Sequence, residues 1–173
     1  MMDNDKLAKA AELKSRLWSV RSNNASSPEG VERFVAAQEG VWEIVLPELR
    51  AGEKRGHWMW YIFPQIIGLG SSSMSKRYAI RDLAEAREYL AHPVLGTRLR
   101  EAMSVLLTHR GRKSAYEIFF NIDAVKLRSC ATLFDIVSPG DVFADILDAF
   151  YYGKPCARTL SILDSISEAE VNG

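Results

Sequence analysis

Apolar residues return every three or four positions along most of the chain, the spacing of an amphipathic helix, while the strict alternation of a strand is nearly absent. Leu7, Ala10, Ala11, Leu13, Leu17 and Trp18 mark a first helix over Lys6 to Val20, and the polar run Ser22 to Ser27 breaks it. Ser27-Pro28-Glu29 suits a second helix start, with Phe34, Gln38, Val41, Trp42, Val45 and Leu49 along one face and Pro47 expected to kink or end it. Asp82 and Glu85 have capping-box spacing before a short helix to Leu90. His92-Pro93 opens the next, whose inward face is Leu95, Leu99, Ala102, Met103 and Leu106; Gly96 weakens its first turn and Gly111 stops it.

Ser114 and Glu117 form another box, and Asp123 is placed to cap a helix with the stripe Leu127, Cys130, Phe134 and Val137. Val142 to Tyr152 turns Phe143, Ile146, Leu147 and Phe150 inward and ends at Gly153; a short last helix follows from Thr159 to about Ile166. The pattern therefore predicts a mainly α fold of about seven helices. One globular domain is expected over residues 25–168, after a helical extension and linker over 1–24 and before a tail over 169–173. Trp58 to Phe63 reads as a short strand or a buried helical turn, so at most a short strand is expected near residues 57–63.

Composition adds exclusions. With 173 residues, 47% hydrophobic and 25% charged, the chain is of ordinary globular type. A chain of this size buries roughly 70% of its surface and needs neither metal nor disulfide to hold a core. Twenty-two basic and 22 acidic residues cancel, which argues against a nucleic-acid partner held by bulk phosphate neutralisation. The charged N-terminus carries no signal-like apolar region and no run is long enough to span a bilayer, so a cytoplasmic protein without a membrane partner is expected. Cys130 and Cys156 each fall in an apolar helical pattern and read as reduced core thiols rather than nucleophiles.

The chemically distinctive stretch is Lys54 to Tyr78. Lys54, Arg55 and His57 precede Trp58, Trp60, Tyr61 and Phe63; Gln65 follows, then Gly68, Gly70, Ser71, Ser72, Ser73, Ser75, Lys76 and Arg77. Glycines let a backbone approach a ligand, and hydroxyls, amides and a nearby ammonium donate to anionic oxygens. The stretch matches neither a phosphate loop nor a full Gly-x-Gly-x-x-Gly fingerprint. Its bland alternative is a turning loop with a helix-capping serine beside ordinary core aromatics. A second cluster, Asp123, Lys126, Arg128, Ser129 and Thr132, starts near an expected helix N-terminus, and its bland reading is capping and packing. His92 and His109 look structural, and no histidine pair has metal-ligand spacing, so no metal is expected.

The run His57-Trp58-Met59-Trp60-Tyr61-Ile62-Phe63-Pro64-Gln65, with Gly68-Leu69-Gly70 and Tyr78-Ala79-Ile80, resembles a bacterial group catalogued as domain-of-unknown-function family 1810. Arg33-Phe34 with Gln38, Glu85 to Leu90, His92-Pro93 to Leu99, and Asp123 with Lys126-Leu127 look like its further landmarks, over about Val31 to Leu163. One departure is Ala131, where the family usually has methionine. A distant likeness of that family to helical domains proposed to act on ADP-ribose is an analogy, and it agrees with an aromatic wall beside an anion-friendly loop.

Two functions follow as expectations. The first is a small enzyme that binds an ADP-ribose-like or other phosphorylated nucleoside ligand and hydrolyses a glycosidic bond. His57 or Asp123 would move the proton and Trp58 or Trp60 would stack. Lys54, Arg55, Lys76 or Lys126 would hold phosphate, and Gln65, Gly68, Gly70, Ser72, Ser129 and Thr132 would line the site. No cofactor is expected. The second is a non-enzymatic binding module, such as a homodimer formed through the N-terminal helix.

Overall fold

The computed structural model describes residues 29–173, so the helix expected over Lys6 to Val20, its linker and the Ser27-Pro28 helix start lie outside the described residues. Nine helices occur among the described residues: α1 (Glu32–Gln38), α2 (Trp42–Ala51), α3 (Met59–Ile62), α4 (Ser73–Arg77), α5 (Leu83–Ala91), α6 (Leu95–Leu107), α7 (Ala115–Val137), α8 (Val142–Tyr151) and α9 (Ala157–Asn172). The mainly α expectation holds, with more helices than the expected total of about seven because α3 and α4 are single turns too short to leave a periodic signature and the predicted second helix divides into α1 and α2. No strand forms among the described residues. Trp58 to Phe63 is helical at its centre, and the one isolated bridge joins Ile66 and Ile80.

Helix boundaries follow local chemistry. The second predicted helix breaks at Gly40, which holds φ +73°, and α2 then runs through Pro47. Left-handed backbone favours glycine over any L side chain, so Gly40 decides the break. Asp82 caps α5 by accepting from the Glu85 amide at 2.7 Å, and Ser114 and Glu117 form the reciprocal box of α7. Asp123 does not cap: α7 bends earlier, at Phe120 (φ 62°, ψ 178°), leaving Asp123 in the first turn after the bend. At the end of α8, Tyr152 itself takes left-handed backbone (φ 56°) just before Gly153. α9 continues through the expected tail to Asn172.

The core is continuous. α7 packs against α8, α5 and α9, while α6 packs against α2, α5 and α8. The predicted face of α6, Leu95, Leu99, Ala102, Met103 and Leu106, is buried throughout. A chain of rings, Phe34–Tyr89–Phe134–Phe143, crosses the interior at centroid spacings of 5.0, 5.5 and 5.6 Å. Gly96 does more than weaken a turn: a Cβ there would stand 2.0 Å from the Leu90 carbonyl oxygen, so glycine permits the close approach of α5 and α6. No helix among the described residues is long and apolar enough to cross a membrane.

Candidate functional site

The segment from Gln65 to Ile80 leaves the core and returns to it. Its two ends are tied by Ile80 N–H donating to the Gln65 carbonyl at 2.9 Å and Ile67 N–H donating to the Ile80 carbonyl at 2.8 Å. Arg33 fastens the exit: its guanidinium donates to the carbonyls of Gly30, Arg77 (2.9 Å) and Ala79 (2.6 Å), and to Glu85 at 2.7 Å. Inside the segment Gly70 lies against Ser75, where a Cβ would stand 2.5 Å from the Ser75 side chain. Ile162 of α9 stands 3.4 Å from where a Cβ would sit on Gly68.

This closed loop walls a hollow of about 330 Å³ lined by Trp60, Gln65, Ile66, Ile67, Gly68, Gly70, Ser75, Lys76, Tyr78 and Ala79. The lining is mainly apolar; its residues with polar side-chain groups are Gln65, Ser75 and Lys76, together with the Trp60 indole N–H and the Tyr78 hydroxyl. Of the sequence-predicted residues the structure thus unites Trp60, Gln65, Gly68, Gly70 and Lys76. Ser72 is not in the lining: its hydroxyl accepts from the Ser75 amide at 3.1 Å, the capping role foreseen as the bland alternative.

Behind the hollow runs a line of charge. Lys54, 9% exposed, places Nζ 2.9 Å from Asp123 Oδ2, and Lys126 Nζ is 3.3 Å from Asp123 Oδ1. The Lys126 ammonium also stands 5.1 Å from the Trp60 ring centroid, and Lys54 stands 5.0 Å from that of Trp58. So the Lys54–Trp60 stretch and the start of the second cluster do meet, through Asp123. Neither Lys54 nor Asp123 lines the hollow, and both are committed to each other. Trp58 is 1% exposed and packs edge-on against Phe119 at 6.4 Å, which leaves no face for a ligand.

The other candidates lie elsewhere. His57 and Arg55 are exposed, and His57 has no side-chain partner among the described residues. Ser129 and Thr132 are buried against the start of α9: Thr132 Oγ1 accepts from the Cys156 amide at 2.8 Å, and Ser129 Oγ lies 3.5 Å from Cys156 Sγ. His92 caps α6, its Nδ1 accepting from the Val94 amide at 3.1 Å, and His109 Nε2 is 2.7 Å from the Leu49 carbonyl. Cys130 is a buried free thiol as expected, whereas Cys156 is half-exposed at the N-cap of α9 rather than inside an apolar helix. The helix begins at Ala157, two residues before the expected Thr159, and this start directly after Lys154-Pro155-Cys156 puts the thiol at the N-cap. Among the described residues no group of three histidine, cysteine or carboxylate side chains is placed to hold a metal.

Glu48, Ser75 and Tyr78 are among the contributors that the sequence did not place at the site. Glu48 anchors the approach to the site, accepting from the amides of Arg55 (2.8 Å) and Gly56 (3.0 Å) and from Trp58 Nε1 (2.9 Å). Burial would raise its carboxyl, but those three hydrogen bonds and the Lys54 charge outweigh burial and hold it below the usual range. Nothing distinguishes Glu48 from the exposed Glu43 in the sequence of α2. Ser75 and Tyr78 line the hollow from within the singled-out stretch; only the helical turn of α4 reveals which of its hydroxyls and rings face inward.

The sequence profile of a family described as "Protein of unknown function (DUF1810)" matches residues 28–163. The crystal structure of a conserved hypothetical protein from Mycobacterium tuberculosis is similar, with 44% identity and a TM-score of 0.75 over 78% of this chain and 96% of that one. No curated protein matches the chain.

Proposed function

The chain belongs to the DUF1810 family, whose function is unknown, and we propose that it binds a small molecule with a flat apolar part and an anionic end in the hollow between Trp60 and Lys76. The observation that carries this reading is the lining itself: a half-buried indole and the Tyr78 ring, a glycine-bearing backbone, and a single ammonium, on a loop tied at both ends. Apolar hollows with a few convergent polar groups are the usual form of small-molecule sites. Within that class a phosphorylated nucleoside, of the ADP-ribose kind, combines a stacking base with an anion for Lys76. Hydrolysis of a glycosidic bond would need a proton donor or carboxylate at the ligand, and His57 and Asp123 stand outside the lining. Binding is therefore the function adopted.

A thermal-shift panel of ADP-ribose, NAD, AMP, ADP and sugar phosphates tests it. A ligand at one hundred times its Kd stabilises by about 2.7 kcal/mol. At roughly 2–4 °C per kcal/mol the melting midpoint rises by roughly 5–11 °C. Trp60→Phe should weaken the shift and Lys76→Ala should abolish it, with the unliganded midpoint of Lys76→Ala within roughly 2 °C of the wild type. A panel that shifts nothing and leaves tryptophan fluorescence unchanged ends the proposal.

A second reading, a homo-oligomeric contact module, is favoured by Tyr116, Phe120, Ile122 and Val125, large apolar residues exposed around the bend of α7. Sedimentation of wild type and Phe120→Ser decides it: a monomeric wild type removes that reading.

A further inference from the structure

Cys156 sits at the N-cap of the sixteen-residue α9, half-exposed, and is not among the residues that line the hollow. Several donors face its sulfur: the amides of Arg158 and Thr159 in the first turn, the Thr159 hydroxyl, and the Ser129 hydroxyl at 3.5 Å. The Ser129 hydroxyl has a single proton and also reaches the Val125 carbonyl at 3.2 Å. Thr159 is the unusual member. Its side chain is fully buried, and its hydroxyl is the one buried side-chain polar atom among the described residues that no oxygen or nitrogen partners, which leaves the sulfur as the group it can donate to. A buried donor left unpaired costs about 1–3 kcal/mol unless some group completes it. The group it faces is the sulfur, a weak acceptor as a thiol and a far better one once it carries charge or oxygen.

We propose that Cys156 is a site of oxidation by hydroperoxides, forming a sulfenic acid whose oxygen is received by Thr159 and the first amides of α9. The thiolate attacks one peroxide oxygen, an S–O bond forms and the O–O bond breaks. Sulfur gives up two electrons, the peroxide takes them, and the departing hydroxide (an alkoxide from an organic hydroperoxide) acquires a proton to become water (or the alcohol).

The surroundings favour the reactive form. Burial works against the Cys156 thiolate, but the Thr159 and Ser129 hydroxyls and the two amides outweigh it, and the thiol is lowered from its ordinary value. Arg128 of α7 is engaged elsewhere: it donates to the Lys154 carbonyl at 2.8 Å and stands over the Tyr151 ring. Cys130 supplies an internal control, because burial alone pushes that thiol well above its usual value.

The test uses the full chain treated with a few equivalents of hydrogen peroxide in the presence of dimedone, with the adduct located by peptide mass spectrometry. Label is expected on Cys156 and not on Cys130, and Cys156→Ser abolishes it. The rate of iodoacetamide alkylation at Cys156 is expected to titrate below the ordinary thiol value of about 8.5. Thr159→Val should move that profile upward and slow sulfenate trapping at neutral pH severalfold; Ser129→Ala gives a smaller shift in the same direction. Absence of dimedone label on Cys156 overturns the proposal. So does an alkylation profile in the wild type at or above the ordinary thiol value, a reading that needs no variant to fold.

Discussion

Removing the Arg33 guanidinium is the most informative single perturbation of this fold. Arg33 and Glu85 are 8% and 7% exposed, and the guanidinium serves three carbonyls as well as the carboxylate. In Arg33→Ala, Glu85 keeps only Arg81 (2.8 Å), whose own side chain is 60% exposed and screened by water. Breaking a buried pair by deleting one partner costs about 3–5 kcal/mol. At roughly 2–4 °C per kcal/mol for a chain of this length, the midpoint falls by roughly 6–20 °C.

Urea unfolding at several pH values separates the cause from mere lost packing. Burial would raise the Glu85 carboxyl, but the Arg33 hydrogen bond and charge, joined by Arg81, outweigh it and depress the carboxyl in the folded state. A depressed carboxyl contributes stability that is fully present above the ordinary glutamate value of about 4.3 and is lost as pH falls through the lower folded value. Without Arg33 the same carboxyl is governed by burial and rises. The deficit of the variant is then largest at neutral pH and shrinks as pH falls toward 4, roughly the range over which an unpaired buried carboxyl protonates. Replacing the pair by Arg33→Met with Glu85→Leu should recover part of the loss, because no charge is stranded, although the Gly30, Arg77 and Ala79 carbonyls remain unserved. A deficit under about 1 kcal/mol, or one independent of pH, would refute the electrostatic account.

Three further outcomes follow from the same geometry. Glu48→Ala strands the Trp58 indole and two loop amides and should cost about 1–3 kcal/mol with a red shift in tryptophan emission; unchanged emission would mean that the indole does not depend on the carboxylate. Asp123→Ala leaves Lys54 with the Gly56 carbonyl as its remaining acceptor, for a loss of about 1.5–3 kcal/mol by denaturant titration. If the same change abolished ligand binding while stability held, the structural assignment of Asp123 would be wrong. Gly96→Ala gains about 1 kcal/mol of helix propensity and loses more to the Leu90 carbonyl 2.0 Å away, so a net destabilisation of about 1–3 kcal/mol is expected. A stabilised variant would show that α5 and α6 can slide apart freely.

The long helices were legible because burial repeats: Leu95, Leu99, Ala102, Met103 and Leu106 are periodic in sequence and inside in the structure. Capping by Asp82 and by Ser114 with Glu117 was legible because the chemistry is local. What stayed hidden depends on partners distant in sequence. Arg33 and Glu85 are 52 residues apart and look like surface charges until both are seen buried. Pro47 suggested a helix end that Gly40 supplies instead, because a positive φ terminates a helix more firmly than one missing donor does. Cys156 read as core because it was assigned to an apolar helical pattern, yet its place just before the start of α9 decides its chemistry.

The aromatic block holds the deepest difference between pattern and structure. Taking Trp58 and Trp60 together as one wall implies that residues two apart share a face, which is the geometry of a strand. The segment is a turn of helix, in which residues two apart point about 200° from each other. Hence Trp58, Met59, Ile62 and Phe63 are buried, while His57 is exposed and Trp60 and Tyr61 are half-buried on the other side. The inner set packs on Phe119 of α7; the outer set gives Trp60 to the hollow and, from Tyr61, its carbonyl to Gln38 at 2.8 Å. One short motif therefore does two separable things. Trp58→Phe should be felt in the unfolding midpoint and hardly in binding, whereas Trp60→Phe should weaken the ligand and spare the midpoint. A pair of variants with the opposite assignment would place the binding face of α3 on its wrong side.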